Sequence, residues 1–403
     1  MSNLTQKQKN IVLILCMLSN PVGQIYVDIY LPALPLISQT LKTSEFYSQL
    51  SLTIYLLVFA IALPIYGLIT DYLGRKKLLI LGFLITLIGT VITIFSGSIS
   101  LFILGRIIQA VGTAASSAIV FPIILDVFTG KELLHAFVYT DAVYAAIPII
   151  APYIGGVILL FSSWRYIFVF LFLLLLILVI MLSLSLPETK HFTPEKFSFK
   201  KLKNDSKVIV TNNDFVCNAL IITFSWASII TFNVLGPFLF QKIYGYTPYE
   251  YGLAALILGT VCFIAILSNR LLVRHFSPFK LVAVSAIIRI FPATALLIIT
   301  LIGIYNPIIV LILCCLSVAP GGIVWSNSLT LALKNFTKTS GLATSILFSF
   351  FYITWSLTSY IVAKIGYTQI ILSSAYLILA LSSLSVVIYY IYTQKRNNID
   401  IIS

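Results

Sequence analysis

Gly67-Leu68-Ile69-Thr70-Asp71-Tyr72-Leu73-Gly74-Arg75-Lys76-Lys77 separates two long apolar runs. The stretch puts an acid, two glycines and three consecutive cations into a gap too short for a domain. Arg75, Lys76 and Lys77 do not cross a bilayer cheaply, so they mark this side as cytoplasmic. Gly67 is expected to let the helix end approach a neighbour closely. Gly74 is expected to take the left-handed conformation that stops a helix. Asp71 can pair with a cation or accept bonds from the N-terminus of a facing helix. From the residues alone, this is a topogenic turn between two membrane spans, with or without a further mechanical role.

Composition agrees with membrane spans. The chain has 403 residues, of which 60% are hydrophobic and only 9% charged, against roughly a quarter charged in soluble domains. Its mean hydropathy is +1.07. The net charge of +13 invites a nucleic-acid reading, but the cations sit in short turns between apolar runs rather than on one face of a domain. Nucleic acid is therefore not an expected partner. Cys16, Cys217, Cys262, Cys314 and Cys315 all fall inside apolar runs without metal-ligand spacing, so they read as small buried residues. No metal or cofactor is expected. The first apolar run is too long for a cleavable signal and lacks a small-residue cleavage site.

Windows of about twenty residues divide the chain into twelve spans, near 11–36, 49–70, 78–97, 101–125, 136–160, 166–186, 214–240, 250–270, 281–303, 308–332, 341–362 and 369–392. The organisation is a six-helix bundle over 1–186, a basic linker over 187–213, and a second six-helix bundle over 214–403. The linker carries Lys190, Lys196, Lys200, Lys201, Lys203 and Lys207. With the N-terminus in the cytoplasm, the cytoplasmic turns and tails collect 19 of the 25 lysines and arginines. Both termini are then cytoplasmic. Two interior cations remain, Arg106 and Arg289. Two six-span halves suggest an internal repeat with a binding site near the mid-plane. The second-half echo of the opening stretch, Ser268-Asn269-Arg270-Leu271-Leu272-Val273-Arg274-His275-Phe276, keeps cations and lacks the acid.

The pattern Gly-x-x-x-Asp-x-x-Gly-Arg-Lys between the second and third spans resembles the signature loop of the major facilitator superfamily. The resemblance implies an all-α membrane protein whose twelve transmembrane helices form two pseudo-symmetric six-helix bundles. It makes Gly67, Asp71, Gly74, Arg75 and Lys76 a conformational latch, and a monomer the expected state. The first span contains Asp28-Ile29-Tyr30-Leu31-Pro32-Ala33-Leu34-Pro35. This motif resembles the first span of the Bcr/CflA-type drug-resistance subfamily of proton-coupled antiporters, where the acid is implicated in proton and drug binding. That role is carried to Asp28 alone.

Asn20, Gln24 and Asp28 lie at four-residue spacing on one helical stripe. An acid inside a span is costly unless it faces a cavity, a cation or water. Asp28 is either a group near the outer interface or a site that exchanges protons. In the fourth span, Arg106, Gln109, Thr113 and Ser117 share a face. Arg106-Ile107-Ile108-Gln109-Ala110-Val111-Gly112 is similar to the family's Arg-x-x-Gln-Gly-x-Gly motif, linked to proton transfer, with Ala110 where glycine is usual. The fifth span has Pro148, Pro152, Gly155 and Gly156, which resemble the antiporter motif Gly-Pro-x-x-Gly-Gly with Ala151 at its first glycine. They read as a hinge and a seal. Asp141 matches no family pattern; it is a partner for Arg106, a group in the cytoplasmic mouth, or a second proton or substrate site. Asp126, Lys131, Glu132 and His135 read as rim charges, and Leu125-Asp126 departs from the subfamily's usual Arg-Asp.

The second half offers Trp226, Asn233, Arg289, Trp325, Asn327 and Tyr352. With Gln24, Tyr30, Tyr55, Gln109 and Thr113, these are candidate substrate-binding residues of an aromatic, amphipathic cavity; each is equally readable as helix-packing polarity. The histidines, His135, His191 and His275, fall in loops and form no catalytic constellation, so an enzyme is not expected. The reading is a proton-coupled exporter of small amphipathic or drug-like molecules in the bacterial inner membrane, with substrate, protons and the lipid bilayer as partners. The alternative is a dedicated carrier of an anionic metabolite, such as a carboxylate siderophore, held by Arg106 and Arg289.

Overall fold

The computed structural model describes residues 4–189, 199–336 and 340–396, without the side chains at 71–72, 199–202, 340 and 395–396. Among them, twelve helical stretches are long and apolar enough to cross a membrane. In order they are Gln6–Thr40, Glu45–Thr70, Arg75–Ile94, Ile99–Val127, Gly130–Phe161, Arg165–Ser185, Asn213–Ile243, Pro248–Leu272, Pro278–Leu301, Pro307–Leu333, Gly341–Ile365 and Gln369–Gln394, and they are called spans 1 to 12. The chain divides into two compact units, Met1–Lys196 and Phe197–Ser403, with six spans in each. Lys190, His191, Lys196 and Lys338 lie outside the described residues, as do the side chains of Lys200 and Lys201.

Most spans extend beyond the hydropathy windows because polar caps and interfacial residues continue the helices into the turns; spans 3, 6 and 9 are instead shifted by one to three residues toward the N-terminus. Span 1 opens on a reciprocal capping box, in which Thr5 and Gln8 bond each other's backbone N–H groups. Part of the basic linker is also helical, over Phe199–Thr211. Its Ile209 is 1% exposed, whereas Val208 and Val210 lie open.

Among the described residues, span 7 ends in a π-helical turn over Leu239–Ile243, and spans 1 and 9 are broken. Span 1 consists of Gln6–Ser19, Val22–Asp28, a 3-10 turn over Leu31–Ala33, and Leu34–Thr40. Pro21, Pro32 and Pro35 have no N–H to donate, so the helical ladder is interrupted at each and the chain re-forms around them. Span 9 changes segment at Arg289, between Pro278–Ile288 and Ile290–Leu301. Pro292 cannot donate to the carbonyl one turn earlier, which accounts for the break.

In the first unit, spans 3 and 4 meet along Gly82, Gly89, Gly105 and Gly112. A methyl at Gly89 would lie 2.7 Å from the Gln109 nitrogen and 2.8 Å from the Gly105 oxygen. Small residues let the two backbones touch where larger ones would separate them. Span 5 meets the broken part of span 1 in the same way. A methyl at Gly155 would overlap the Ile29 carbonyl. Gly67, expected to make a close approach, does not: nothing lies within 4 Å of a methyl built there. Its helix continues to Leu73, and the crowding it was assigned occurs at Gly155 and in the span 3–span 4 seam.

These contacts separate the two glycines by experiment. Gly155→Ala overpacks a backbone contact, at a cost of about 1–3 kcal/mol, and is expected to lower the thermal unfolding midpoint of the purified protein. Gly67→Ala is expected to leave it unchanged. Equal midpoints for both variants would contradict the backbone contact at Gly155.

Candidate functional site

The first unit holds a buried polar network centred on Arg106, which is 0% exposed. Its Nη1 donates to Gln109 Oε1 at 2.6 Å, and its Nη2 donates to the Tyr26 carbonyl at 2.9 Å. The guanidinium carbon lies 4.3 Å from the ring centroids of both Tyr30 and Tyr55. A desolvated cation between two aromatic faces gains cation–π attraction that offsets part of the cost of leaving water. The local cause is the interrupted span 1, whose carbonyls are free of a continuous helical ladder.

The network reaches four other spans. The Tyr55 hydroxyl bonds the Gly23 carbonyl at 2.9 Å and Thr113 Oγ1 at 2.6 Å. Gln109 Nε2 donates to Thr93 Oγ1 at 3.1 Å and Thr90 Oγ1 at 3.3 Å. The Tyr26 and Thr90 hydroxyls are 3.0 Å apart. Asp28, 1% exposed, accepts from Gln24 Nε2 at 2.7 Å, and Gln24 Oε1 accepts from Tyr144 of span 5 at 3.3 Å. Asp28, Gln24, Tyr30, Tyr55, Arg106, Gln109 and Thr113 are thus brought together. Tyr30, Tyr55, Gln109 and Thr113 differ from the expectation that they line an open cavity. All four are fully buried: Tyr30 and Tyr55 pack against the cation, Gln109 bonds it, and Thr113 bonds Tyr55. Asp141 differs as well: its residue is exposed on span 5, whereas the head of Arg106 is enclosed by Tyr26, Gln109 and the two rings.

Arg289 corrects another expectation. It is 0% exposed, with Nε donating to the Ser317 carbonyl at 3.0 Å and Nη2 to the Ser225 carbonyl at 2.9 Å and Ser228 Oγ at 2.8 Å. Its Nε and Nη2 are turned to spans 7 and 10, and Nη1 is buried without an acceptor among the described residues, so the head is an enclosed internal clamp rather than an open anion site. Asn327 is likewise occupied. It donates to Asn269 Oδ1 at 2.7 Å and to the Ile323 carbonyl at 2.8 Å, tying span 10 to the end of span 8. Asn233 is buried in span 7.

The second unit gathers aromatics instead. Trp226 and Trp325 have ring centroids 5.1 Å apart. Trp355 lies 6.5 Å from Trp226 and 4.2 Å from Phe351, and Tyr352 lies 5.9 Å from Trp355. Trp226 Nε1 donates to the Gly321 carbonyl at 3.1 Å, which fixes its ring. Phe351 and Trp355 escaped the sequence reading; the helical spacing of Phe348, Phe351, Tyr352 and Trp355 was the available signal.

Around the signature loop, Arg75 Nε meets Asp126 Oδ2 at 3.1 Å. The Arg75 and Lys76 backbone N–H groups donate to Glu188 Oε1 at 2.8 and 3.4 Å. Lys76 Nζ donates to the Ser183 carbonyl at 2.8 Å, and Thr189 Oγ1 donates to Asp126 Oδ2 at 3.2 Å. Asp126 is therefore part of the loop's own ion pair and not merely a rim charge. Glu188, which the sequence reading passed over, supplies the carboxylate at the N-terminus of span 3, where an anion is stabilised. Gly74 has φ +88° and ψ 150°, a positive-φ extended conformation rather than the expected left-handed helical one. A methyl there would strike the Glu188 carboxylate, whose carbon lies 2.9 Å away. The Asp71 side chain lies outside the described residues. Asp214 was also missed. It pairs with Lys334 at 2.9 Å and accepts from Asn335, Tyr390 and Gln394 at 3.1, 2.9 and 2.6 Å, joining the ends of spans 7, 10 and 12.

The family model described as Major Facilitator Superfamily covers residues 16–359, and the chain belongs to that superfamily. It is a multi-pass membrane transporter, not an enzyme. The MFS-type transporter YdgK of Bacillus subtilis is 26% identical over 335 residues, covering 81% of this chain and 82% of its own. The multidrug resistance protein MdtL of Klebsiella pneumoniae is 25% identical over 327 residues, covering 80% of each. The fold is similar to that of the D-xylose-proton symporter, with TM-score 0.72 and 14% identity over 95% of this chain and 96% of the other. It is also similar to a bacterial homologue of the lysosomal transporter Spinster, with TM-score 0.71 and 16% identity over 97% and 96%.

The Arg106 geometry makes a direct prediction. A lysine cannot span both acceptors with a planar fork. Arg106→Lys is therefore expected to destabilise the first unit nearly as much as Arg106→Ala, by at least the roughly 1–3 kcal/mol of an unsatisfied buried group. Thermal unfolding of the purified variants checks this; a native-like midpoint for Arg106→Lys would contradict the two-acceptor role. At the loop, Glu188→Gln keeps the shape and removes the charge from the N-terminus of span 3. It is expected to lower the midpoint by the roughly 0.3–1 kcal/mol of such an interaction, an effect that shrinks as salt is added.

Proposed function

We propose that the chain is a proton-coupled exporter of small amphipathic, drug-like molecules, of the drug:proton antiporter branch, working by alternating access. The observation that carries this reading is the near-complete burial of Asp28 within a span, hydrogen-bonded to Gln24. A carboxylate enclosed in an apolar membrane protein is expensive to maintain as an anion without function. Exchange between a protonated and an ionised Asp28 gives proton movement a foothold on span 1.

Arg106 is the positioning residue of this scheme. It fixes the interrupted part of span 1 through the Tyr26 carbonyl, so a change in the charge of Asp28 acts on a backbone that Arg106 already holds. The signature loop, through Arg75, Lys76, Gly74 and its contacts with Asp126 and Glu188, serves as the latch, and Pro148, Pro152, Gly155 and Gly156 as the hinge and seal. Asp141 is exposed enough to serve as a second proton site. The cation distribution favours both termini on the cytoplasmic side of the bacterial inner membrane, and the working unit is a monomer. The name of the MdtL relative supports a drug-like cargo. The carrier of an anionic metabolite is the weaker reading, because the guanidiniums of Arg106 and Arg289, its two anchors, are buried and turned to internal acceptors.

The test is transport into inverted membrane vesicles energised to acidify the lumen. A lipophilic cationic dye is expected to accumulate with the native protein, to stop when the proton gradient is dissipated, and to stop with Asp28→Asn. Uptake of a polycarboxylate siderophore without dye uptake would overturn the exporter reading. Dye uptake unaffected by Asp28→Asn would remove Asp28 from the coupling.

A further inference from the structure

The aromatic group of the second unit carries more than packing. Phe348, Phe351, Tyr352 and Trp355 recur at helical spacing on one side of span 11. They meet Trp325 of span 10 and Trp226 of span 7, with Phe348 and Phe351 at 5.9 and 5.3 Å from Trp325. Trp226, Trp325 and Phe348 are only half-buried, so aromatic faces remain available at the edge of the cluster. Span 10 has no Asp, Glu, Lys or Arg, and neither does span 7 between Asp214 and Lys242 nor span 11 before Lys364. The surface is therefore apolar, aromatic and without formal charge of its own.

Two polar groups of span 11 are unsatisfied. Trp355 is 4% exposed, and its Nε1–H has no hydrogen-bond partner among the described residues; the same is true of Ser349 Oγ on the same helix. The neighbouring Trp226 Nε1–H, by contrast, is taken up by Gly321. A buried indole N–H ordinarily finds an acceptor, and leaving one unpaired is unfavourable. An orphan donor beside open aromatic faces is the arrangement that a flat ligand with one acceptor atom completes.

We propose that Trp226, Trp325, Phe351 and Trp355 form a binding site, contained within the second unit, for planar heteroaromatic molecules that carry a carbonyl-type hydrogen-bond acceptor. The rings stack on the ligand's faces, and Trp355 Nε1–H donates to its acceptor. Small anions are not expected to bind there, because the stretches of spans 7, 10 and 11 that carry the rings hold no lysine or arginine. This specifies the cargo class of the exporter proposed above and rests on that reading.

Fluorescence supplies the readout, since three of the four tryptophans belong to the site and the remaining one, Trp164, packs in the first unit against Phe102 and Phe168. The full-length protein in lipid nanodiscs, with no proton gradient, is titrated with N-methylacridone, which has a carbonyl acceptor, and with 9-methylanthracene, which has none; empty nanodiscs correct for partitioning. N-methylacridone is expected to quench saturably and to bind about fivefold or more tighter than 9-methylanthracene, the equivalent of one buried hydrogen bond. Trp355→Phe keeps the ring and removes the donor, so it is expected to abolish that difference while leaving 9-methylanthracene unchanged. Trp325→Ala is expected to weaken both by about tenfold, and Trp164→Phe to weaken neither. Equal affinities in the native protein, or a preference for N-methylacridone that survives Trp355→Phe, would overturn the donor assignment. Native-like binding by Trp325→Ala would overturn the site. Because no gradient is used, loss of this binding with gradient-driven dye uptake intact sinks the site alone. Binding that persists in a protein unable to couple transport to protons sinks the exporter reading instead.

Discussion

A guanidinium sealed inside a membrane-embedded unit is the constraint on which the first six spans depend. Arg106 has lost its water, and the loss is tolerable only where fixed dipoles and aromatic faces replace it. The Tyr26 carbonyl, Gln109 and the rings of Tyr30 and Tyr55 supply that replacement. Each comes with its own geometric demand. The carbonyl must come from the interrupted span 1, the amide must be oriented by Thr90 and Thr93, and the Tyr55 ring must be held by Gly23 and Thr113. One charge thereby fixes the relation of spans 1, 2, 3 and 4. Arg289 repeats the device in the second unit with other partners, reaching a carbonyl of span 7 as Arg106 reaches one of span 1.

Such clamps require close helices, and the small residues provide them. The glycine-lined seam of spans 3 and 4 places Thr90, Thr93 and Gln109 within bonding distance. Gly155 brings span 5 onto Ile29, next to Asp28 and its partner Gln24. The acid, the cation and the close approach at Gly155 are therefore parts of one packed object rather than separate motifs. A change in the charge of Asp28 has a short physical route to the backbone of span 1 and to span 5 through Tyr144.

The two units divide the chemistry. The first holds the buried acid, the two-tyrosine cation site and the charged loop network of Arg75, Asp126 and Glu188. The second is electrically quiet in its span interiors apart from Arg289, and gathers three tryptophans about spans 7, 10 and 11. A buried acid beside a buried cation and an uncharged aromatic cluster need different dielectrics and different side chains, and the two units supply them separately.

Much of this was legible in the chain itself. Apolar windows of membrane length define the twelve spans, since a bilayer admits few backbone solutions other than helices. The Gly67–Lys77 stretch marked the loop, and the spacing of Gln24 with Asp28 put the two in reach one turn apart. What sequence left open was which groups each polar residue meets. Tyr30 and Tyr55 looked like cavity walls and became the walls of an arginine. Arg289 looked like an anion anchor and became a clamp on backbone carbonyls. Glu188 and Asp214 drew no notice, because their partners lie more than a hundred residues away along the chain. Periodicity and hydropathy are local properties and are written in consecutive residues. The partner of a buried charge is chosen by packing between distant segments, and only the tertiary structure decides it.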